Sequence, residues 1–232
     1  MAAKSPVILI LGYGANIGKS VAKKFSSQGY KVAVAAGSVK EDNTDTFLNI
    51  PSDFSKTESI TNAFEQVKQK FGIPSVVVYN ASAANFSPKD EPFDLSLEDL
   101  NENMTINIRS PFVAFQQAVA GFKELPEPAS RTFIYTGNIL NVSMIPGFLA
   151  AGIGKSGAAY MTWTASEAYK SRGFKFYYAD ERKPDGGPIY RVNGDAHGDL
   201  YWELSQGKEQ GPWMQSFVKG IGYKAFDTIY ES

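Results

Sequence analysis

A glycine-rich turn near the start of the chain carries the clearest chemistry in the sequence. The apolar run 7–11 leads directly into the segment 12–18, Gly-Tyr-Gly-Ala-Asn-Ile-Gly, and a helical pattern follows over 17–28. Glycines in such a turn let backbone N–H groups approach a pyrophosphate, and a helix N-terminus favours its negative charge. The turn therefore predicts a nucleotide site; the alternative is a tight turn that binds nothing. The predicted contact residues are Gly12, Asn16, Ile17 and Gly18.

The end of the second predicted strand favours NADP(H) over NAD(H). An NAD-selective site places an acidic side chain there to bind the ribose 2′-hydroxyl, and none occurs before Glu41. Ser38 and Lys40 instead offer a hydroxyl and a cation, which suit a 2′-phosphate. We therefore expect NADP(H) as the cofactor; the alternative is that Lys40 is a solvated loop charge.

Alternating strands and helices must position these residues. The predicted strands are 7–11, 31–36, 46–50, 75–79, 131–135 and 174–179, and the predicted helices are 17–28, 55–71, 96–124 with a break at Pro111, and 154–172. This order implies right-handed βαβ units and a parallel sheet with helices on both faces. We predict an α/β fold, a Rossmann-type doubly wound sheet, in one domain of residues 1–232. The Gly-, Pro- and aromatic-rich segment 180–232 is expected to form a cap on the substrate side.

Composition excludes several classes of function. The chain has 232 residues, 43% hydrophobic and 20% charged, which is ordinary for a globular domain. The net charge of −1 gives no electrostatic case for binding nucleic acid or an anionic membrane. There is no cysteine, and His197 is the only histidine, so thiolate chemistry and multi-histidine metal sites are excluded. We expect no metal, and a cytoplasmic protein with no membrane span.

Several motifs resemble, in a consistent order over residues 5–180, those of the short-chain dehydrogenase/reductase family. The turn 12–18 resembles the family's glycine motif, and Gly154-Lys155-Ser-Gly resembles the entrance of its active-site helix. The resemblance implies that Asp53 meets the adenine ring, that Asn107 supports a proton-relay water, and that Lys155 binds the nicotinamide ribose. The residues that follow the third and fourth strands are then further cofactor contacts: Asp53, Phe54, Asn80, Ala81 and Ser82.

Two positions depart from the family pattern. The family places a catalytic tyrosine four residues before this lysine and a serine thirteen residues before that tyrosine, and the chain has Ala151 and Asn138 there. Reduction of a carbonyl turns its oxygen into an alkoxide, so an acid or a hydrogen-bond donor is needed beside it. Ala151 has no proton to give, whereas Asn138 can donate a hydrogen bond but cannot act as an acid. The predicted catalytic residues are Asn138, Lys155 and Asn107.

Other side chains are possible proton donors. A tyrosine from elsewhere in the chain can reach the site, although aromatic side chains mostly serve burial. His197, flanked by acidic residues, is a candidate general acid, and the alternative is an exposed loop or helix-cap histidine. A substrate such as an iminium or an activated alkene needs no strong acid. The candidate tyrosines are Tyr160, Tyr177, Tyr178, Tyr190 and Tyr201.

Three functional hypotheses follow. The first is an NADP(H)-dependent oxidoreductase that reduces a C=O, C=N or activated C=C bond of a small, rather apolar molecule with a non-standard proton donor. The second is a cofactor-independent isomerase or cyclase on the same fold, and the third is a non-catalytic NADP(H)-binding sensor. By resemblance we also expect a homodimer or homotetramer that associates through the helices 96–124 and 154–172. The second of these helices has an apolar face, which either forms such an interface or, equally well, packs in the core: Ala158, Met161, Trp163 and Ala165.

Overall fold

One eight-stranded sheet organises the molecule. The computed structural model describes residues 5–40 and 42–226. The spatial order of the strands is β3-β2-β1-β4-β5-β6-β7-β8, and every pair is parallel except the last. The strands are β1 (Val7–Leu11), β2 (Lys31–Ala36), β3 (Phe47–Pro51), β4 (Val76–Tyr79), β5 (Thr132–Thr136), β6 (Lys175–Glu181), β7 (Met214–Val218) and β8 (Gly222–Tyr223). The predicted α/β doubly wound fold in a single domain is confirmed.

Helices cover both faces of this sheet. They are α1 (Ile17–Ser27), α2 (Glu58–Lys70), α3 (Leu97–Met104), α4 (Ser110–Glu124), α5 (Leu149–Tyr169) and α6 (Gly194–Gln206). One apolar core contains Ile60, Ala114 and Ala158, from α2, α4 and α5. The core on the opposite face contains Val21 and Leu200, from α1 and α6. Strands buried on both faces explain why their sequences read as continuous apolar runs.

The predicted helix 96–124 is interrupted just before Pro111. A π-helical turn, Thr105–Arg109, joins α3 to α4, and Pro111 lies in the first turn of α4. Because proline has no N–H and clashes with the preceding turn, the helix widens just before it. This turn carries Asn107, which is fully buried. The helix with lysine 155 begins at Leu149, five residues earlier than predicted, so Ala151 lies inside α5.

The segment after Asp180 belongs mainly to the fold and forms little of a cap. Helix α6 packs against α1, and β7 and β8 extend the sheet beyond β6. The expectation of a cap is wrong for these elements, because β6 would otherwise present an unpaired edge and because Leu200 and Tyr201 of α6 belong to the core. Of the residues described after Asp180, only Arg182, the segment 185–188 and Phe226 reach the cavity described below. Across the described ranges, no helix is both long enough and apolar enough to cross a membrane.

Candidate active site

The glycine turn depends on a close approach of two backbones. Gly12 follows β1 with a φ of +97°, and a Cβ atom there would lie 2.2 Å from the backbone nitrogen of Ala81. A Cβ on Gly18 would lie 2.9 Å from the Tyr13 Cα, whereas one on Gly14 would have nothing within 4 Å. These values explain why glycine is required at 12 and 18, and they show open space above Gly14.

The helix that follows the turn leaves its N-terminus open. Helix α1 begins at Ile17, and the Asn16 side chain makes no capping hydrogen bond to it. The first N–H groups of a helix have no acceptor within the helix, and together with the helix dipole they favour an anion. The turn and α1 therefore have the shape and polarity of a pyrophosphate site.

The Asn16 side chain does something that the sequence did not predict. Its Nδ2 donates to the Val192 carbonyl at 2.9 Å, and its Oδ1 accepts from the Gly194 N–H at 3.0 Å. A Cβ on Gly194 would lie 2.6 Å from that oxygen, so only glycine fits there. Asn16 thus ties the glycine turn to the start of α6.

The loops after β3 and β4 surround the same turn. Asn80 donates from Nδ2 to the Gly12 carbonyl at 2.8 Å and from its backbone N–H to the Leu11 carbonyl at 2.7 Å. The Asp53 carboxylate accepts from the Ser55 hydroxyl and N–H at 2.6 and 3.0 Å, and these bonds lower its pKa. Since β3, β2, β1 and β4 are parallel neighbours, their carboxyl ends meet at one edge of the sheet.

The remaining predicted nucleotide contacts lie along this edge. Ser38 and Lys40 follow β2 and are both exposed. The Phe54 carbonyl accepts from the Ser110 hydroxyl at 2.8 Å, which ties the loop after β3 to the start of α4. Ala81 and Ser82 follow Asn80 directly, beside the glycine turn. Their contacts with a cofactor stay predictions.

Lys155 is buried against the end of β5. Its Nζ donates to the Thr136 carbonyl at 3.0 Å and lies 4.8 Å above the centre of the Tyr135 ring. Only 4% of the residue is exposed. Burial lowers the pKa of its ammonium to about 8, and the nearby Asp180 carboxylate opposes that shift. Lys155 is therefore held inside the protein and does not extend into open solvent.

Asn107 positions the loop after β4. Its Nδ2 donates to the Ala83 carbonyl at 2.8 Å and to Asn103 Oδ1 at 2.6 Å, and its Oδ1 accepts from the Ala83 N–H at 3.2 Å. Both polar atoms of the Asn107 side chain are therefore hydrogen-bonded within the protein. Its backbone carbonyl accepts a long bond of 3.5 Å from the Tyr135 hydroxyl, on the ring that Lys155 covers. A proton-relay role for Asn107 stays a prediction.

Asn138 keeps one free hydrogen-bond donor. Its Oδ1 accepts from the Leu140 N–H at 3.1 Å, and no atom of the described residues accepts from its Nδ2. The Tyr178 hydroxyl donates to the Asn138 carbonyl at 2.9 Å and accepts from the Asn138 backbone N–H at 3.2 Å. Ala151, in the first turn of α5, is 4% exposed and brings no polar atom to the site.

The candidate tyrosines do not supply an acid to the cavity. Tyr178 donates its proton to a backbone carbonyl, and the hydroxyls of Tyr177 and Tyr201, in the core on the other face of the sheet, bond to Glu209 or Gly211 and to Thr136. Tyr160 and Tyr190 are exposed. None of the five lines the cavity formed by the described residues.

His197 is also excluded as a general acid. It lies within α6, is 1% exposed, and its Nδ1 is 2.8 Å from the Asn193 carbonyl and 3.6 Å from Glu181 Oε2. Burial lowers its pKa to about 4. The expectation of an exposed histidine was wrong because His197 contacts Tyr201 on the same face of α6, and this face packs against Phe217 of β7.

A cavity of about 1400 Å³ lies beside the predicted catalytic residues. Its walls are the loop 139–149, the start of α5, the segment 89–93 and the loop 182–188. They are largely apolar and include Ile139, Met144, Phe148 and Ile153. Asn138, Ala151 and Lys155 do not line it, although each is followed in the sequence by a residue that does.

Three buried charges at the end of β6, Asp180, Glu181 and Arg182, were not predicted from the sequence. Asp180 is 0% exposed and Arg182 is 5% exposed, and Arg182 Nε forms an ion pair with Asp180 Oδ2. Burial raises the pKa of the Asp180 carboxyl to about 6, and Arg182 opposes that shift. Three consecutive charged residues at the carboxyl end of an aromatic-rich strand were the available signal, because this edge is where α/β folds bind ligands. Among the described residues, no group of acidic or histidine side chains has the geometry of a metal site.

Comparison with known proteins agrees with this architecture. Residues 6–169 match the family of short chain dehydrogenases. The short chain dehydrogenase/reductase dmxR12 of Cryptosporiopsis is 45% identical to this chain, and the match covers 96% of this chain and 95% of that protein. The hydroxynaphthalene reductase-like protein Arp2 of Metarhizium acridum is 26% identical, and the match covers 93% of this chain and 79% of that protein. A mutant short-chain dehydrogenase/reductase of Serratia marcescens superposes with a TM-score of 0.76 over 94% of this chain and 97% of that chain, at 19% identity, which shows the shared fold.

Proposed function

The chain belongs to the short-chain dehydrogenase/reductase family, and from this premise we propose that it binds NADP(H) and reduces a small, largely apolar molecule in the cavity beside α5. The observation that carries the proposal is the glycine turn, whose backbone geometry and open helix N-terminus suit a dinucleotide. The family binds a nicotinamide nucleotide, and a bound nicotinamide supplies the hydride.

The residues at the carboxyl ends of β1 to β4 fit such a nucleotide. The absence of a Cβ at Gly14 leaves room beside the turn, and the first N–H groups of α1 are available to the pyrophosphate. Asn80 holds the turn in place, and the half-exposed Asp53 is available to the adenosine. Ser38 and Lys40, with no acidic side chain between them and β2, favour the 2′-phosphate of NADP(H).

The proton comes from a non-standard source in this proposal. Asn138 directly precedes the cavity-lining Ile139, and in this proposal its Nδ2 donates to the acceptor oxygen or nitrogen of a substrate at that end of the cavity. Asn138 does not replace a tyrosine, since an amide is no acid at neutral pH. The Lys155 ammonium is an acid, but it donates to the Thr136 carbonyl and does not line the cavity. Water therefore delivers the proton, and the substrate is one that tolerates a weak acid.

The cavity walls and the similar proteins favour a ring-bearing substrate. Apolar side chains dominate the walls, and Phe86 and Phe148 form an edge-to-face pair at 4.9 Å beside the cavity. Such surfaces bind flat, apolar molecules. The name of the Metarhizium relative points to hydroxylated naphthalenes, and we extend that substrate class to this protein as part of the proposal.

Calorimetry with NADPH and NADH tests the proposal first. Wild-type protein should bind NADPH more tightly than NADH, and Lys155→Ala should weaken both. Lys170→Ala, on the exposed end of the same helix, is the matched control and should bind as wild type does. Imines, enones and ketones are then screened for oxidation of bound NADPH. Absence of binding to either nucleotide would refute this function.

One observation favours a second candidate, an isomerase or cyclase that uses no cofactor. The cavity is not lined by Asn138, Ala151 or Lys155, so a substrate held there is shaped mainly by apolar walls and Arg182. Turnover of a ring-bearing substrate in nucleotide-free protein, unchanged by added NADPH, would establish this candidate. Turnover only with NADPH would exclude it.

We also propose a homo-oligomer through α4 and α5. Ala158 and Ala165 of the predicted face lie in the core, but Tyr160 and Trp163 of α5 are exposed, at 68% and 48%. Exposed aromatic side chains are typical of association surfaces. Sedimentation of wild-type protein should give a dimer or tetramer, and Trp163→Glu should shift it toward monomer.

A further inference from the structure

We propose that Arg182 binds a negatively charged oxygen on the ring of the substrate, a phenolate or an enolate, at the inner wall of the cavity. This inference rests on the proposed function for the ring-bearing nature of the ligand, and it adds the group that the protein recognises on that ring.

Arg182 is held rigidly where the cavity meets the sheet. Its backbone N–H donates to the Phe217 carbonyl at 2.8 Å, and its side chain is nine-tenths buried. Its Nε pairs with Asp180, and its Nη1 donates to the Gly186 carbonyl at 3.1 Å. No atom of residues 5–40 or 42–226 accepts from Nη2. The guanidinium therefore keeps a donor for a ligand while two others fix its orientation.

The guanidinium is the one charge of the buried group that faces the cavity. Lys155 and Arg182 are positive and Asp180 and Glu181 are negative, so the four together are neutral when all are ionised. Of these four residues, Arg182 alone lines the cavity. At the cavity rim, Lys89 and Asp185 are of opposite sign and largely cancel. An anionic oxygen in an apolar cavity gains more from such a guanidinium than it would in water.

A second polar atom indicates that the ligand carries a further hydroxyl. Asn141 lines the cavity, and its Oδ1 is buried with no hydrogen-bond partner among the described residues. An unpaired buried acceptor is costly, and a ligand hydroxyl that donates to it removes that cost. The geometry points to a hydroxylated aromatic ring, with one acidic oxygen at Arg182, another oxygen at Asn141, and its faces against Phe148 and Ile153.

A matched pair of ligands tests the proposal without any nucleotide. The probes are 1-nitro-2-naphthol, which is a phenolate at pH 8, and its methyl ether, which has the same rings and no charge. Binding to wild-type protein is followed by tryptophan fluorescence or calorimetry at that pH. The phenolate should bind about 10- to 100-fold more tightly than the ether, as expected for a charge-assisted hydrogen bond. Equal affinity of the two probes would overturn the proposal.

Two variants assign the preference to Arg182. Arg182→Met should lose the preference for the phenolate, while Lys89→Met, which removes another cation at the same cavity, should keep it. If Arg182→Met fails to fold by circular dichroism, Arg182→Lys takes its place; it keeps the charge, loses the planar fork, and should reduce the preference several-fold. An unchanged preference in a folded Arg182 variant, or its loss in Lys89→Met, contradicts the assignment.

The outcome is separable from that of the proposed function. A protein that binds no NADPH but prefers the phenolate through Arg182 loses the reductase proposal and keeps this one. A protein that binds NADPH but does not distinguish the two probes keeps the reductase proposal and loses the proposal for Arg182.

Discussion

The two halves of the candidate site differ in what holds them together. At the carboxyl ends of β1 to β4, the geometry is set by backbone contacts, such as the approach of Gly12 to Ala81 and the bond from Asn80 to Gly12. At the ends of β5 and β6, it is set by buried side chains, Lys155, Asp180 and Arg182. The first half contains the glycine turn, and in the second half Asn138 and Ala151 occupy the positions where the family resemblance led us to expect a serine and a tyrosine.

This difference means that the two halves tolerate substitution unequally. A glycine turn tolerates few substitutions, because a Cβ would collide with backbone atoms. A side chain that projects into a cleft can be exchanged without disturbing the core. We therefore expect the second half to vary more readily than the first within the same fold.

The largest expected effect comes from returning the missing hydroxyl. Ala151→Tyr places a phenol one turn before Lys155, and general acid catalysis contributes about 10²- to 10⁴-fold. We expect the NADPH-dependent reduction rate of a simple activated ketone to rise by about 10²-fold, measured as loss of NADPH absorbance. Ala151→Phe has the same ring without the hydroxyl and should give no rise. Equal rates in the two variants would show that the lost tyrosine alone does not explain the departure.

The buried carboxylate of Asp180 makes stability depend on pH. Its pKa is raised from 3.8 to about 6 on folding, so the native protein binds the proton more tightly than the unfolded chain does. As the pH rises from about 4 to about 6, wild-type protein should lose about 2 kcal/mol of unfolding free energy relative to Asp180→Asn.

Urea titrations over this pH range measure the difference. His197, whose pKa falls to about 4, gives an opposite slope in both proteins and cancels. Asp185→Asn, on the exposed loop, should follow wild type. A constant difference between wild type and Asp180→Asn across the range would show that this carboxyl is not buried in solution.

Substitutions in the glycine turn test the backbone contacts that hold the first half of the site together. Gly12→Ala puts a Cβ 2.2 Å from the Ala81 nitrogen at a φ of +97°, and it should lower the free energy of unfolding by about 2–3 kcal/mol. Gly14→Ala meets no atom within 4 Å and should change it by less than about 0.5 kcal/mol. Thermal unfolding compares the two. Similar losses in both variants would contradict the backbone contact that distinguishes them.

The smallest effect is expected at Lys40. Its exposed ammonium is worth about 1 kcal/mol to a 2′-phosphate, so Lys40→Ala should weaken NADPH binding about fivefold and leave NADH binding unchanged. Calorimetry with both nucleotides measures this, with Lys23→Ala as the exposed control. A parallel loss for both nucleotides would mean that Lys40 acts on the turn and not on the phosphate.

Local patterns were sufficient for most of the fold. The parallel sheet, the helices on both faces and the break near Pro111 follow from periodicity and proline chemistry. The same reasoning failed after Asp180, where Gly, Pro and aromatic residues indicated a cap. Whether such a segment forms an edge strand or a cap depends on the strand or helix against which it packs. A local sequence pattern does not identify that neighbour.

The candidate site divides in the same way. The placement of Gly12 to Gly18 after β1 and of Asn80 after β4 was predictable because it rests on spacing along the chain; their contacts with a nucleotide stay a prediction. Arg182 and Asn141 were missed, since a charge or an amide in a loop reads as solvated until its burial is known. The hypotheses for His197 failed for the same reason: its neighbours Asp195 and Asp199 suggested a general acid, and its burial in α6 could not be predicted from the sequence.

The sequence by itself determined the family, the doubly wound architecture, the position of the glycine turn, and the lack of a tyrosine at 151. Only the tertiary structure decided that the alternative tyrosines and His197 do not reach the cavity, that Lys155 faces Thr136, and that Arg182 and Asp180 are buried together. The physical reason is that turn geometry and periodicity act between residues close in sequence. Burial and charge pairing depend instead on residues brought together from distant segments, and these set the chemistry of a side chain.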